Sequence, residues 1–257
     1  MKIFCIGDVV GMEGRRFLRQ KLPAFKKEHG VDLVICNGEN SSNKNGISNS
    51  SCDYLFASGI DVITLGNHAF RRMQIFDYLE NQPYLIRPLN FPSPSTPGKG
   101  ICTLDMGFTS VTVINLMGQE GMSPICESPF IAVDRALKAI DSKIILVDFH
   151  AEATSEKKAM GYFLDGRVSA VFGTHTHVQT SDEAILAGGT GYITDLGMTG
   201  VIDSVLGVKK EIILRRFVDK RPEKFELAEG ECMLNGVLFE IDEKTGRCIS
   251  VSRYDLR

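Results

Sequence analysis

The chain has 257 residues, of which 43% are hydrophobic and 24% charged, and this ordinary composition excludes a disordered, collagen-like or disulfide-framework protein. Its net charge of −3, from 29 Lys and Arg against 32 Asp and Glu, gives no overall field that would favour duplex nucleic acid or an anionic membrane. We expect one compact domain over residues 1–257.

Short apolar runs alternate with segments of helical spacing along much of the chain. The predicted strands are residues 2–7, 31–36, 61–66, 143–149 and 168–173, and the predicted helices are Arg15–Glu28, Ser50–Ser58, Phe130–Ile140 and Glu156–Leu164. Because buried strands separated by helices are typical of parallel sheets, the pattern predicts a β-α-β-α core and a fold of the α/β class, with mixed α+β character.

Two later segments have strands without helices between them. Residues 83–100 carry five of the nine prolines and are predicted to form a loop, which two hairpin-connected strands follow, ICTLDM and SVTVINLM. The segment Cys232–Leu256 is predicted to be a hairpin with its turn at Asp242–Gly246. These strands predict a second sheet packed against the first.

Five of the predicted strands end in polar clusters. The clusters are Gly7-Asp8, Gly38-Glu39-Asn40, Gly66-Asn67-His68, Asp148-Phe149-His150 and Gly173-Thr174-His175-Thr176-His177. In an open α/β sheet the carboxyl ends of neighbouring strands face one crevice, so these residues are expected to converge. Four of the five histidines lie in the clusters, and the fifth, His29, is expected at a solvated helix end. Imidazoles beside carboxylate and amide oxygens predict a site for divalent first-row metals.

The G-T-H-T-H segment has its own geometric argument. In an extended stretch, residues i and i+2 point the same way, so His175 and His177 are expected to reach one site, and Gly173 lets the backbone turn closely. Two metals about 4 Å apart would each take one imidazole, and Glu39 has two oxygens with which to bridge them. A surface turn with two solvated histidines is the alternative.

The ordered blocks resemble the calcineurin-like metallophosphoesterase pattern, whose usual form is D-x-H, G-D, G-N-H-D/E, H and G-H-x-H. The segments GDVVG, NGEN, GNHA, DFHAE and GTHTHV are similar, nearly end to end, to the YmdB-like bacterial phosphodiesterases, a branch of that superfamily. Three positions depart from the superfamily pattern. Val10 replaces the first histidine, Glu39 replaces an aspartate, and Ala69 replaces the acid after His68.

The resemblance implies a metallophosphoesterase-type sandwich of two sheets flanked by helices, with two metal ions. One ion would be held by Asp8, Glu39, Asn40 and His177, with Asn40 filling the place of the missing histidine. The other would be held by Glu39, Asn67, His150 and His175. Iron or manganese is expected, zinc is an alternative, and His68 occupies the proton-donor position.

These parts predict a hydrolytic mechanism. Two cations lower the pKa of a water between them, so that a bridging hydroxide attacks phosphorus in line, and they neutralise charge on the phosphate oxygens. His68 then protonates the leaving alkoxide. The predicted function is a phosphodiesterase acting on 2′,3′- or 3′,5′-cyclic nucleotides. The alternative, which the departures at Val10 and Ala69 favour, is a catalytically weak metal- or nucleotide-binding regulatory protein on the same fold.

Most other features of the sequence are more typical of structure than of function. The turn Gly7–Gly14 has its glycines spaced G-x-x-x-G-x-x-G, which argues against a dinucleotide site. Lys209–Lys224 carries seven basic and three acidic residues, and a solvated face is favoured over RNA contact. The polar loop Ser41–Gly46 is either a substrate-selecting loop or a plain turn. Asp148 is expected to be structural, Glu152 has no predicted role, and a homo-oligomer remains open.

The seven cysteines are odd in number and form no C-x-x-C. Several lie in apolar runs, which predicts reduced, buried thiols and a cytoplasmic location. The N-terminal run meets Asp8 too soon for a signal peptide, and no segment approaches the ~18 apolar residues of a membrane span.

Overall fold

The computed structural model describes residues 1–43 and 45–257; Lys44, in the polar loop Ser41–Gly46, lies outside the described residues. Six α-helices lie in the described part of the chain: α1 Gly11–His29, α2 Asn49–Ala57, α3 Phe76–Asn81, α4 Pro129–Leu137, α5 Thr154–Leu164 and α6 Lys210–Asp219. A 3-10 turn at Met73–Ile75 leads into α3. None of the helices within these described ranges is both long and apolar enough to span a membrane.

The strands are numbered in chain order. They are β1 Lys2–Ile6, β2 Asp8–Val9, β3 Leu33–Asn37, β4 Val62–Thr64, β5 Leu85–Ile86, β6 Ile101–Asp105, β7 Ser110–Met117, β8 Ile144–His150, β9 Ala170–Thr174, β10 Ala184–Ile185, β11 Gly191–Ile193, β12 Met198–Val201, β13 Cys232–Ile241 and β14 Cys248–Leu256.

The strands form two mixed sheets. The first has the order β2-β12-β13-β1-β3-β4-β5, with β14 paired to β13, and its strands β1, β3, β4 and β5 are parallel. The second has the order β10-β11-β9-β8-β7-β6, in which β7, β8, β9 and β11 are parallel and the two outer strands are antiparallel. The predicted α/β class, with two sheets flanked by helices, is confirmed.

The core consists of three apolar layers. Between the sheets, Ile3 and Cys5 of β1 belong to the same buried cluster as Val111 and Val113 of β7. Because successive strand residues point to opposite faces, Phe4 lies on the outer face of the first sheet. There it belongs to a cluster with Leu18 and Leu22 of α1 and Leu55 of α2. Ile114, Leu116, Val147 and Phe149 cover the outer face of the second sheet together with Met160 of α5.

Local signals in the sequence set the ends of the helices that cover the first sheet. Ser48 caps α2, because its hydroxyl accepts a hydrogen bond from the backbone N–H of Ser51. In return, the hydroxyl of Ser51 accepts a hydrogen bond from the backbone N–H of Ser48. Helix α1 ends at His29 and is capped by Gly30, whose φ of 64° is left-handed. This helix begins four residues before the predicted Arg15 and ends one residue after Glu28.

The C-terminal hairpin lies in the first sheet, so its predicted place in the second sheet is wrong. Strands β13 and β14 do pair as a hairpin, but β13 also pairs antiparallel with β1, from Lys2 opposite Glu240 to Ile6 opposite Gly236. The hairpin therefore completes the first sheet, and the second sheet is built from β6 to β11. An apolar run shows that a strand is buried but does not show which sheet buries it.

Two smaller expectations also need correction. The predicted loop 83–100 contains β5, a two-residue strand between Pro83 and Pro88 that pairs with β4 at the sheet edge, where proline is tolerated. His29 is half-buried and not simply solvated, because its ring lies 4.3 Å from that of Phe25 and 5.0 Å from that of Tyr254.

Candidate functional site

The ends of five strands meet at one end of the sandwich. In the first sheet, β1, β3 and β4 lead into Asp8, Glu39–Asn40 and Asn67–His68. In the second sheet, β8 ends at His150 and β9 leads into His175–His177. The five strand ends therefore converge as expected, although they come from two sheets and not from neighbouring strands of a single sheet. All eight residues predicted for the site are nevertheless brought together here.

One cluster of lone-pair donors surrounds His150. Its Nε2 atom lies 3.0 Å from Nδ1 of His175 and 3.0 Å from Oδ1 of Asn67. The same atom lies 3.2 Å from Oε1 of Glu39. The ligating atoms of Glu39, His150 and His175 all lie within 4.8 Å of one another. Nitrogen and carboxylate oxygen atoms that converge in this way form a donor set that fits a first-row transition metal.

A second cluster surrounds Asp8. Nε2 of His177 lies 3.6 Å from Oδ1 of Asp8 and 3.3 Å from the side-chain amide nitrogen of Asn40, which lies 3.3 Å from Oε1 of Glu39. Oδ2 of Asp8 accepts a hydrogen bond from the backbone N–H of His175 at 3.1 Å. Oδ1 is buried and has no hydrogen-bond partner among the described residues. A buried carboxylate oxygen without a donor is costly, so this position also fits a cation.

A chain of buried polar groups fixes the orientation of the His150 ring. Nδ1 of His150 lies 2.9 Å from the hydroxyl of Thr174, and that hydroxyl donates to Oδ1 of Asp148 at 2.7 Å. Thr64 and Asn37 donate to the other carboxylate oxygen of Asp148. When the ring is neutral and carries its hydrogen on Nδ1, its Nε2 lone pair points into the cluster, where a cation would replace the second proton. Asp148 therefore supports the site from behind.

The charged and titratable groups of the cluster shift one another's pKa values in opposite directions. Burial alone would raise the pKa of Glu39, but the facing His150 holds that pKa well below its usual range. Burial alone would lower the pKa of His150, but Glu39 raises it to about 9, with help from Asp8 and Asp148. Burial and the neighbouring His150 lower the pKa of His175 to about 4. The negative potential that raises the pKa of His150 is the potential that a metal cation would meet.

The two histidines after β9 reach the site through a strained loop. Strand β9 ends at Thr174, and His175 and His177 have φ angles of 102° and 63°, which are uncommon for residues other than glycine. The predicted extended stretch is therefore wrong, although both rings reach the site. Gly173 serves a different purpose from the expected turn, since a Cβ atom there would lie 1.8 Å from the carbonyl oxygen of Thr194.

A buried ion pair braces this loop. The ammonium group of Lys157 on α5 lies 2.6 Å from Oδ2 of Asp195 and donates to the carbonyl oxygen of Thr174 at 2.7 Å. The same carboxylate oxygen accepts the backbone N–H of Thr176 at 3.2 Å. Both charged side chains are 1% exposed. Strained backbone persists only where its surroundings hold it in place, and these contacts hold the residues on either side of His175.

His68 is positioned without the acid that usually follows it. Its Nδ1 atom lies 3.0 Å from Oδ1 of Asn40 and 3.3 Å from Oε1 of Glu39, and its backbone N–H donates to Oε2 of Glu39 at 2.9 Å. Ala69 is buried and has no polar group to contribute. Gly66 lets this turn approach the cluster, because a Cβ atom there would lie 2.3 Å from Nε2 of His150.

A cavity of about 500 Å³ opens over the clusters. Polar groups on its inner side include those of Glu39, Asn40, His68, His175 and His177. Most of the other lining residues belong to residues 205–227 and are apolar, and this segment forms the second side of the cavity. We call Arg216, Phe217 and Phe225 on that side the aromatic wall; Val205, Leu206 and Val208 of the same segment also line the cavity.

Sequence analysis missed two parts of this cavity. Glu152 lies at its edge, with Oε2 3.1 Å from Nε2 of His175; only its position two residues after His150 hinted at this. The aromatic wall lies within or next to the charged segment Lys209–Lys224, whose basic residues are solvated as expected, but Arg216 also lines the cavity. Two glycines of the first turn pack against other backbone, since Gly7 and Gly14 closely face the carbonyls of Gly197 and Thr199.

Comparisons with known proteins agree with this geometry. Residues 4–254 match the family model described as YmdB-like protein. A Bacillus subtilis (strain 168) protein named 2′,3′-cyclic-nucleotide 2′-phosphodiesterase is 44% identical over 255 residues, which cover 98% of this chain and 96% of that protein.

Two solved structures share the whole fold. A Thermus thermophilus structure, described as that of a hypothetical protein, has a TM-score of 0.93 and 40% identity, covering 99% of this chain and 98% of that one. A Mycoplasma pneumoniae structure, described as that of a novel phosphatase, has a TM-score of 0.95 and 34% identity, covering 100% and 93%.

Proposed function

The chain belongs to the YmdB-like family, and we propose that it is a dinuclear metal-dependent phosphodiesterase that hydrolyses cyclic nucleotides. At the coarser level of enzyme class, the prediction of a metallophosphoesterase-type phosphodiesterase is confirmed by the family and by the 44% identical relative. The observation that carries the finer proposal is the cluster of lone-pair donors around His150, together with His68 on the same cavity.

We propose two ion sites that share Glu39. The ligands of the first would be Asp8, Glu39, Asn40 and His177, and those of the second would be Glu39, Asn67, His150 and His175. Two observations support these assignments: Oδ1 of Asp8 is buried without a hydrogen-bond partner among the described residues, and the lowered pKa of His175 favours a neutral imidazole. When bound, the ions would activate water and neutralise charge on the phosphate. Iron or manganese is the proposed metal, and zinc suits the same donors.

His68 is proposed to be the proton donor. Asn40 and Glu39 engage its Nδ1 atom, which leaves Nε2 to serve a substrate in the cavity. In the hydrolysis, an oxygen of water bonds to phosphorus and the ester bond to one ribose oxygen breaks. The departing oxygen takes the proton from His68.

The proposed substrate is a cyclic mononucleotide. The name of the Bacillus subtilis relative favours a 2′,3′-cyclic phosphate, and a 3′,5′-cyclic phosphate is the other form to test. A small phosphodiester suits the net charge of −3 better than a long RNA does. We further propose that residues 1–257 act as one domain. The seven cysteines are free and buried, which favours a reducing compartment such as the cytoplasm.

The test is steady-state hydrolysis of 2′,3′-cyclic AMP, 3′,5′-cyclic AMP and bis-p-nitrophenyl phosphate by the metal-reconstituted protein and its His68→Ala variant. His68→Ala should keep its metal, and its kcat should fall by about 10²- to 10⁴-fold because it lacks the proton donor. His29→Ala, which changes the one histidine outside the site, is the matched control. A wild-type protein that binds metal but hydrolyses none of these esters would instead be the regulatory protein of the alternative.

A further inference from the structure

The two sides of the cavity differ in chemistry. The inner side carries the proposed metal ligands and His68, whereas the aromatic wall presents two phenyl rings and one guanidinium group. The Cζ atom of Arg216 lies 4.8 Å from the ring centroid of Phe225. Among the described residues that line the cavity, Arg216 is the one Lys or Arg. A ligand that fills the cavity therefore needs a polar, phosphate-bearing end and a flat apolar end.

The aromatic wall is left exposed to solvent. Phe217 is 65% exposed and Phe225 is 43% exposed, and Leu206 beside them is 45% exposed. A cluster of exposed apolar side chains at the mouth of a polar site is typical of a surface that a ligand covers. Its position next to the clusters ties it to the same ligand.

The aromatic wall is also held in a fixed relation to the proposed metal site. The carbonyl oxygen of Leu206 lies 3.2 Å from Nδ1 of His177. Beyond it, Val205 and Val208 exchange two backbone hydrogen bonds, and the N–H of Lys209 donates to the carbonyl of Glu226 at 3.0 Å. These contacts join both ends of the segment that carries α6. The segment that carries the aromatic wall is therefore anchored next to His177.

We propose that the aromatic wall binds the nucleobase of the substrate, an inference that rests on the proposed function. In a cyclic nucleotide the base and the phosphodiester share one ribose, so a phosphate bound at the proposed metal ligands places the base within the same cavity, which the aromatic wall also lines. Phenyl and guanidinium groups stack on the flat face of any base. The subsite should therefore increase the affinity for nucleotides while discriminating little among the four bases.

The experiment compares two substrates that differ in the base alone: 2′,3′-cyclic AMP and methyl ribofuranoside 2,3-cyclic phosphate. Phe225→Ala and Phe217→Ala are expected to raise KM for 2′,3′-cyclic AMP by about 5- to 150-fold, the range given by loss of base stacking. Both variants should hydrolyse the ester without a base with a kcat/KM within about twofold of wild type. A twofold change is smaller than the smallest effect that loss of base stacking should produce. Phe108→Ala, at a 70% exposed phenylalanine outside the cavity, is the control and should change neither.

A binding measurement separates this inference from the proposed function. Calorimetry with adenosine 3′-monophosphate should show weaker binding to Phe225→Ala than to Phe108→Ala, whether or not the protein turns over substrate. If nothing is hydrolysed but this difference is found, the nucleobase subsite stands and the proposed function fails. If cyclic nucleotides are hydrolysed but both substrates respond equally to Phe225→Ala, or neither responds, the subsite is wrong and the proposed function stands.

Discussion

The two sides of the cavity are built in different ways. On the strand-end side, the site residues are backed by buried polar groups, such as Asp148 behind His150 and the Lys157–Asp195 pair behind the histidine loop. On the side of the aromatic wall, the charged groups lie at the surface, as in the pair between Lys210 and Asp203. The two Lys–Asp pairs have the same N···O distance of 2.6 Å and differ mainly in burial.

The effect of a substitution should therefore depend on the side on which it lies. A group in the braced side shares hydrogen bonds with the backbone or rings of the site, so its loss is transmitted to the proposed metal ligands. A group on the wall side contacts solvent, and its loss should affect only what touches it. Matched substitutions on the two sides should therefore differ in effect.

The largest effect is expected at the buried ion pair. Lys157→Met leaves the Asp195 carboxylate buried without its partner and frees the carbonyl of Thr174, so the free energy of unfolding should fall by about 3–5 kcal/mol. Lys210→Met breaks a pair with the same distance at the surface and should leave that free energy nearly unchanged. Urea unfolding of both variants measures the two free energies of unfolding. Equal losses in the two would contradict the division between the sides.

The next effect is expected at Thr174. Thr174→Val removes the hydroxyl that links His150 to Asp148, so His150 is no longer held in one orientation. Metal affinity or activity should fall by about 10- to 100-fold. Thr199→Val is the matched control, because the buried Thr199 hydroxyl has no hydrogen-bond partner among the described residues. Metal titration of the two variants distinguishes them. An unchanged metal affinity in Thr174→Val would show that the link from Asp148 through Thr174 to His150 does not support the proposed metal site.

The smallest effect is expected at Glu152, which lies between the two sides. Its carboxylate is 3.1 Å from Nε2 of His175 but is 57% exposed, so water competes for the contact. Exposed ion pairs are worth little, and Glu152→Ala should change the metal affinity by less than about fivefold. A loss as large as that in Thr174→Val would mean that Glu152 belongs with the braced side.

The strand ends were the part of the site that sequence could predict. A buried apolar run that stops at polar side chains is visible without a structure, and five such ends, four of them with a glycine, include all eight predicted site residues. The parallel order of β1, β3 and β4 follows from the helices between them. Sequence did not show that β13 pairs with β1. A strand that is buried on both faces is apolar along most of its length, and such a run does not indicate which strand lies next to it.

The braces and the wall were beyond sequence for physical reasons. Lys157 and Lys158 are adjacent in one helix, and nothing in their spacing shows that only Lys157 is buried. The left-handed backbone at His175 and His177 is unfavourable for these residues and is imposed by tertiary contacts. Phe217 and Phe225 lie among charges that are typical of a solvated face, so their approach to the cavity depends on the path of residues 205–227.

The central claim is that the strand ends hold two metal ions through a shared Glu39. The most direct test is the metal content per chain, measured by plasma mass spectrometry after reconstitution with Mn²⁺ and removal of free metal, for wild type, Glu39→Ala and Glu28→Ala. Circular dichroism should show that all three are folded. We expect two ions in wild type and in the surface variant Glu28→Ala, and fewer than one in Glu39→Ala. Two ions retained by Glu39→Ala, or none bound by wild type, would contradict it.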